Sequence, residues 1–165
     1  MTEKKLIVIE QTDPRRPEVR ELVAELDAYM QRLYPAESNH LLDVETLARP
    51  EVLFFVGRVD GESLACGAVV LRGAEEGRHE SGEAYAEVKR IYVSPRARGL
   101  GLGKKLLSHL EDAARAHRLR LICLETGVYQ PEALGLFAHH GFARCRHFGD
   151  YPTDDPLSLF MDKRL

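Results

Sequence analysis

Residues 94–105 read Ser-Pro-Arg-Ala-Arg-Gly-Leu-Gly-Leu-Gly-Lys-Lys. Glycines at 99, 101 and 103 let the backbone reach positive φ and let a ligand approach the chain closely. Upstream, Tyr85–Val93 (YAEVKRIYV) reads as a strand that Ser94-Pro95 ends. Its alternation is imperfect, which points to a bulge or to a strand with two different faces. Downstream, Gly101–His117 reads as a helix with Leu102, Leu106, Leu110 and Ala113 as its stripe and Leu107 and Ala114 alongside. A glycine loop feeding a helix leaves free N–H groups at the positive end of the helix dipole, which makes an anion site. Charge agrees. Lys89, Arg90, Arg96, Arg98, Lys104 and Lys105 are basic, and nothing between 89 and 105 is acidic. In a chain of net charge −3 that excess points to a phosphate ligand.

Counting excludes two common phosphate loops. A P-loop needs GxxxxGK[ST], but position 98 is Arg and position 105 is Lys. A dinucleotide loop needs GxGxxG, but Gly99 and Gly101 are followed by Lys104 where the third glycine belongs. The acidic residue expected near position 121 is a leucine.

Working outward, Leu119–Glu125 (LRLICLE) is apolar through its middle, as in a buried parallel strand. With the strand and helix before it, it makes a βαβ unit whose crossover is right-handed. Pro131–His140 is a short helix with Pro at its start and Gly141 past its end. Phe142–Cys145 and Leu157–Met161 are closing strands, separated by the turn-rich stretch 149–156. Toward the N-terminus, Ser63–Leu71 and Val52–Val59 are strands joined by an Asp60-Gly61 hairpin. Gly73–Gly82 is a loop. Leu6–Ile9 is a first strand. Val19, Leu22, Val23, Leu26, Tyr29, Met30 and Leu33 stripe a helix that starts at Pro17 and stops at Pro35. The polar stretch from Pro35 to Pro50 holds a short helix around Leu42–Ala48 and reads as a mobile cover. The order predicts an α/β domain over 1–165, one mixed sheet with helices on both faces.

Composition sets the outer limits. The chain has 165 residues, 44% apolar and 30% charged, which suits one globular domain. Lys plus Arg is 23 against 26 Asp plus Glu, so no overall basic field exists for nucleic acid. The longest apolar runs, about five residues, fall far short of the roughly 20 that span a bilayer. Met-Thr-Glu-Lys-Lys leads straight into a strand-like run, without the apolar region of a leader. Cys66, Cys123 and Cys145 are far apart, with no CxxC, which predicts reduced thiols in a cytoplasmic protein. His139, His140 and His147 lie near Cys145 without a ligand spacing, so no metal is expected.

Arg98-Gly-Leu-Gly101-Leu-Gly103 fits the pattern [QR]xxGx[GA]. It resembles the acetyl-CoA pyrophosphate loop of the GNAT superfamily of N-acetyltransferases. Glu87–Val93, the loop and Lys-Lys-Leu-Leu107 are similar to that superfamily's fourth strand, loop and third helix. Ala133-Leu-Gly-Leu-Phe137 with Gly141-Phe142 resembles its AxxLYxxxGF segment. The resemblance implies a mostly antiparallel mixed sheet, splayed between its fourth and fifth strands. It implies a transferase that moves an acetyl group from acetyl-CoA to an amine by direct attack in a ternary complex. The expected acceptor is a small molecule, such as an amino acid or related metabolite. A protein or peptide acceptor, and a non-catalytic acyl-CoA sensor, are the alternatives. Relatives pair through sheet edges or C-terminal strands, so a homodimer is a further implication.

The resemblance also assigns roles. Backbone groups of Ile91, Tyr92 and Val93 would bind the pantetheine arm. Loop amides over Arg98, Gly99, Leu100, Gly101, Leu102, Gly103 and Lys104 would hold the pyrophosphate, with Arg98, Lys104 and Lys105 adding charge. Glu87, eleven residues before Arg98, is the candidate general base, with Glu83 and Glu125 as substitutes. Phe137 stands where the family commonly has a tyrosine acid, and phenylalanine donates no proton. Tyr129 is the expected replacement, with His139, His140 and Tyr151 as alternatives. Gln130 takes the place of a common Asn at the cofactor, and Phe137 packs against the arm. Tyr34, Asn39, His40 and Tyr151 would line the acceptor pocket.

Overall fold

Seven strands and five helices run along residues 4–165, the part of the chain that the computed structural model describes. The order is β1 (Ile7–Gln11), α1 (Pro17–Leu33), α2 (Val44–Leu47), β2 (Val52–Val59), β3 (Glu62–Arg72), α3 (Ala74–Gly77), β4 (Tyr85–Val93), α4 (Leu102–Ala116), β5 (Leu121–Gly127), α5 (Pro131–His139), β6 (Ala143–Arg144) and β7 (Ser158–Arg164). Met1–Glu3, part of the segment expected to lack a leader, lie outside the described residues. The strands form one mixed sheet in the order β1-β2-β3-β4-β5-β7-β6. Among the described residues only β4 and β5 pair in parallel, with α4 as their crossover.

The two striped helices cover opposite faces. Val19, Leu22, Val23 and Leu26 of α1 pack on Phe54, Val56, Cys66, Ala68 and Val70. Leu102, Leu106, Leu107, Leu110 and Ala114 of α4 pack on Phe55, Ala65, Val69, Ala86, Val88, Ile122 and Leu124. Alternation along β2 and β3 thus feeds two cores, one on each side of the sheet. Asp60 and Gly61 both have positive φ, 49° and 86°, as a tight two-residue hairpin requires. At α5, Pro131 opens the helix, and Gly141 (φ 95°) lets the Phe142 N–H reach back to the Phe137 carbonyl.

Some expectations shift. The stretch 73–82 is not all loop, because the Glu76 carboxylate accepts from the Gly73 N–H and starts the single turn α3. β7 runs on to Arg164 because it pairs with the whole of β5. β6 shrinks to two residues, since Phe142 turns into the core instead of along the edge.

β4 carries the bulge. Cys66 pairs with Tyr92 and Ala68 with Lys89, so Arg90 and Ile91 together oppose Gly67. Arg90 takes a left-handed φ of 57°. The extra residue changes parity: Ala86 and Val88, then Ile91 and Val93, share the α4 face. β4 also parts from β5. Their pairing covers Ala86–Val88 against Ile122–Leu124 and stops there. From Lys89 and Glu125 onward the strands diverge and leave a cleft between them.

Candidate active site

The mouth of the glycine loop lies at the wide end of this cleft. A cavity of about 480 Å³ is lined by Ile91, Tyr92 and Val93 on one side and by Tyr129, Gln130 and Phe137 on the other. Arg98, Gly99, Gly101, Leu102, Gly103 and Lys104 form its end. These are the expected cofactor residues, brought together with the exception of Leu100, whose side chain packs against the α4 core. Tyr92 contributes backbone: its ring is buried on the α1 side, where its hydroxyl donates to Glu25 Oε2 at 2.8 Å. Lys105 is exposed and does not line the cavity.

The loop suits a pyrophosphate. Gly99 and Gly101 have φ of 82° and 76°, and a Cβ built on either would meet no described atom within 4 Å. Gly101 caps α4 without a side-chain hydrogen bond among the described residues. The N–H groups of the first turn therefore point into the cavity mouth with no partner inside the helix. Arg98 Nη1 reaches across to Glu132 Oε2 at 3.2 Å, an exposed pair that spans the cleft entrance. On the β5 side, the edge groups of β4 beyond Val88 have no strand partner among the described residues, so an extended amide-bearing arm fits there as a strand would.

Chain comparisons agree with this geometry. The sequence profile described as "Acetyltransferase (GNAT) family" matches residues 19–142. The chain belongs to the GNAT acetyltransferase family. An IAA acetyltransferase of Azospirillum brasilense is 45% identical over 159 residues, 96% of this chain and 98% of that protein. The crystal structure of a putative acyl-CoA N-acyltransferase from Klebsiella pneumoniae superposes with a TM-score of 0.76 at 35% identity, over 97% of this chain and 98% of that one. The PaiA N-acetyltransferase of Thermoplasma acidophilum, solved with coenzyme A, shares the fold with a TM-score of 0.70 at 15% identity, covering 97% and 99%. This GNAT protein is an acyl-CoA-dependent acetyltransferase, and the residues on the cleft walls fit acetyl-CoA.

At the narrow end of the cleft a second cavity, about 100 Å³, lies between Lys89 and Glu125. Tyr34, Ser38, His40 and Leu41 close it from the α1–β2 connection. That connection is tied down: Lys89 Nζ donates to the His40 carbonyl at 3.5 Å, and Arg90 Nε to the Leu42 carbonyl at 3.0 Å. Tyr34 is buried against Gly127. Its hydroxyl accepts from the Tyr129 N–H at 3.0 Å and donates to Gln130 Oε1 at 3.3 Å. Burial raises the Tyr34 phenol above its usual range. Asn39 supports this tyrosine from outside, its Nδ2 donating to the Tyr34 carbonyl. His40 Nε2 is buried, 3.7 Å from Asp155 Oδ2 and without a hydrogen-bond partner among the described residues.

A Cβ at Gly127 would run into the Tyr34 hydroxyl and lie 2.6 Å from its Cε1. Gly127→Ala is therefore expected to cost about 1–3 kcal/mol, as overpacking does. Thermal unfolding measures it, and an unchanged midpoint would contradict the packing of Tyr34.

Glu87 sits elsewhere, on the wall of an adjoining cavity with Arg72, Tyr85 and Tyr151. It is 2% exposed, and both carboxylate oxygens are engaged. Arg72 Nε donates to Oε1 at 3.0 Å; the Tyr151 hydroxyl donates to Oε2, with Lys89 Nζ at 3.4 Å. Arg72 carried no sign of this role, because it lies across the β3–β4 pair. Tyr151 joins the acceptor end through Lys89 and through an edge-to-face contact with His40 at 5.3 Å.

Of the groups considered in place of a tyrosine at Phe137, Tyr129 lines the cofactor cavity, stacked on Tyr34 at 5.5 Å. His140 instead lies 2.7 Å from Glu111 Oε2, beside the Lys163–Glu111 bridge that ties α4 to β7. Phe137 is buried, packs edge-on against Phe142 and lines both cavities. His79, Cys145 and Asp162 also cluster. There the Ser81 N–H donates to His79 Nδ1, so Nε2 carries the proton and donates to Asp162 at 2.8 Å. In that tautomer the ring nitrogens of His79 are both engaged by hydrogen bonds within the protein.

Proposed function

We propose that the protein transfers the acetyl group of acetyl-CoA to the amine of a small molecule, by direct attack in a ternary complex. The observation that carries this reading is the closed narrow end of the cleft. The α1–β2 connection lies over it and is held down by Lys89 and Arg90, whereas a peptide acceptor needs an open groove. The relative named IAA acetyltransferase also carries a small molecule in its name. Three free thiols, two of them buried, suit a reducing cytoplasm, and among the described residues no helix is long and apolar enough to cross a membrane.

In this reading acetyl-CoA supplies a thioester-activated acetyl group. The N–H groups over Arg98–Lys104 hold its pyrophosphate, and the unpaired edge of Ile91–Val93 aligns its arm. Gln130 and Phe137 form the opposite wall, Phe137 keeping water from the arm. Tyr34, His40 and Tyr151, with Asn39 behind Tyr34, frame the acceptor. The leaving thiolate has a pKa near that of an ordinary thiol, about 8.5, so it departs without a strong acid. Tyr129, which lines the cofactor cavity and is 53% exposed, hands it a proton in this reading.

The test is release of CoA thiol from acetyl-CoA across amines, amino acids and short peptides, with an enzyme-only control for the protein's own cysteines. Amines and amino acids are expected to drive release and peptides to leave it at background. Release with peptides alone would overturn the small-molecule reading.

A further inference from the structure

We infer that Glu125, and not Glu87, takes the proton from the acceptor amine, an inference that rests on the acetyl-transfer reading above. Val88 and Leu124 are the last paired positions of β4 and β5, so Lys89 and Glu125 are the first residues past the parting. Equivalent positions on parallel strands present side chains to the same face. Lys89 and Glu125 therefore stand on either side of the opening, and both line the narrow cavity together with His40 and Phe137. This is where an amine would meet the end of an arm laid along Ile91–Val93.

The two carboxylates differ in what they have left to offer. Ser158 Oγ donates to Glu125 Oε2 at 2.7 Å, which fixes the carboxylate against β7 and leaves Oε1 for a ligand. Glu87 has Arg72 on one oxygen and Tyr151 and Lys89 on the other. Both Glu87 oxygens are thus already engaged within the protein, whereas Glu125 keeps one oxygen open to the cavity. The groups facing Glu125 are Lys89 and Glu87 from β4, Tyr34 and His40 from the α1–β2 connection, and Ser158 from β7. Burial outweighs the Ser158 hydrogen bond and the pull of Lys89 and His40, and raises the Glu125 carboxyl above its usual range. A base moved that way lies closer to the operating pH.

The acceptor arrives as an ammonium, and Glu125 Oε1 takes one proton. The freed lone pair attacks the thioester carbonyl carbon. The C–N bond forms and the C–S bond breaks, the sulfur leaving with the bonding pair. The second proton of the nitrogen ends on sulfur, and Glu125 returns the first to water.

Glu125→Gln tests this in three readouts. Turnover is expected to fall about 100- to 1,000-fold, the usual share of a positioned base. The residual rate should climb about tenfold per pH unit, following the fraction of free amine. Calorimetric affinity for acetyl-CoA should stay within about twofold, because the pyrophosphate and arm contacts are elsewhere. In ligand-free protein, a ¹³C carboxyl resonance titrating above the usual carboxylate range should be missing from the variant. A Glu125→Gln enzyme with the parent's rate and pH profile would overturn the assignment, as would loss of that profile in Glu87→Gln alone. A parent protein that releases thiol with no amine at all would instead sink the acetyl-transfer reading, and this assignment with it.

Discussion

Gly101→Val is expected to raise the dissociation constant for acetyl-CoA about 100-fold. Gly101 holds φ 76° and ψ 17° at the start of α4, and a β-branched residue in that left-handed region costs about 1–2 kcal/mol. The fold itself has room, since no described atom lies within 4 Å of a Cβ there. The new side chain therefore fills the space where the pyrophosphate approaches the amides of Leu102, Gly103 and Lys104. Losing two such hydrogen bonds at about 1–1.5 kcal/mol each gives the stated factor. Calorimetric titration measures it, with thermal unfolding to confirm that the variant is folded. An affinity within a few-fold of the parent would remove the loop from the cofactor site.

The second large effect is on stability. Glu87→Ala leaves Arg72 and Lys89 facing one another without the carboxylate between them, and it opens a void under β4. Removing one partner of a buried ion pair costs about 3–5 kcal/mol, and the exposure of Arg72, 32%, lowers that to about 2–4 kcal/mol. For a chain of this length the unfolding midpoint should drop by about 4–16 °C. Glu87→Gln keeps an acceptor for Arg72 and should lose less. A midpoint that does not move in Glu87→Ala would contradict the ion-paired role and return Glu87 to the list of free carboxylates.

Local chemistry was legible in the sequence and distant pairing was not. The glycine loop, the Asp60-Gly61 hairpin, the stripes of α1 and α4 and the Pro131–Gly141 bounds of α5 depend on residues a few positions apart. The bulge in β4 showed as broken alternation, although only the register against β3 places it at Arg90 and Ile91. The state of the two carboxylates depends on partners from other strands. Arg72 reaches Glu87 across the β3–β4 pair, and Ser158 reaches Glu125 from β7. Nothing in the spacing of these residues marks them as neighbours. Spacing to Arg98 favours Glu87 in the sequence, and only the surroundings of the two carboxylates distinguish what each has free.

The most direct test of the whole account is a calorimetric titration of the parent protein with acetyl-CoA. The splayed strands and the glycine loop predict binding at one site per chain, abolished or strongly weakened in Gly101→Val. Heat at the dilution baseline across the titration would contradict the assignment of the cleft, and with it the proposed reaction.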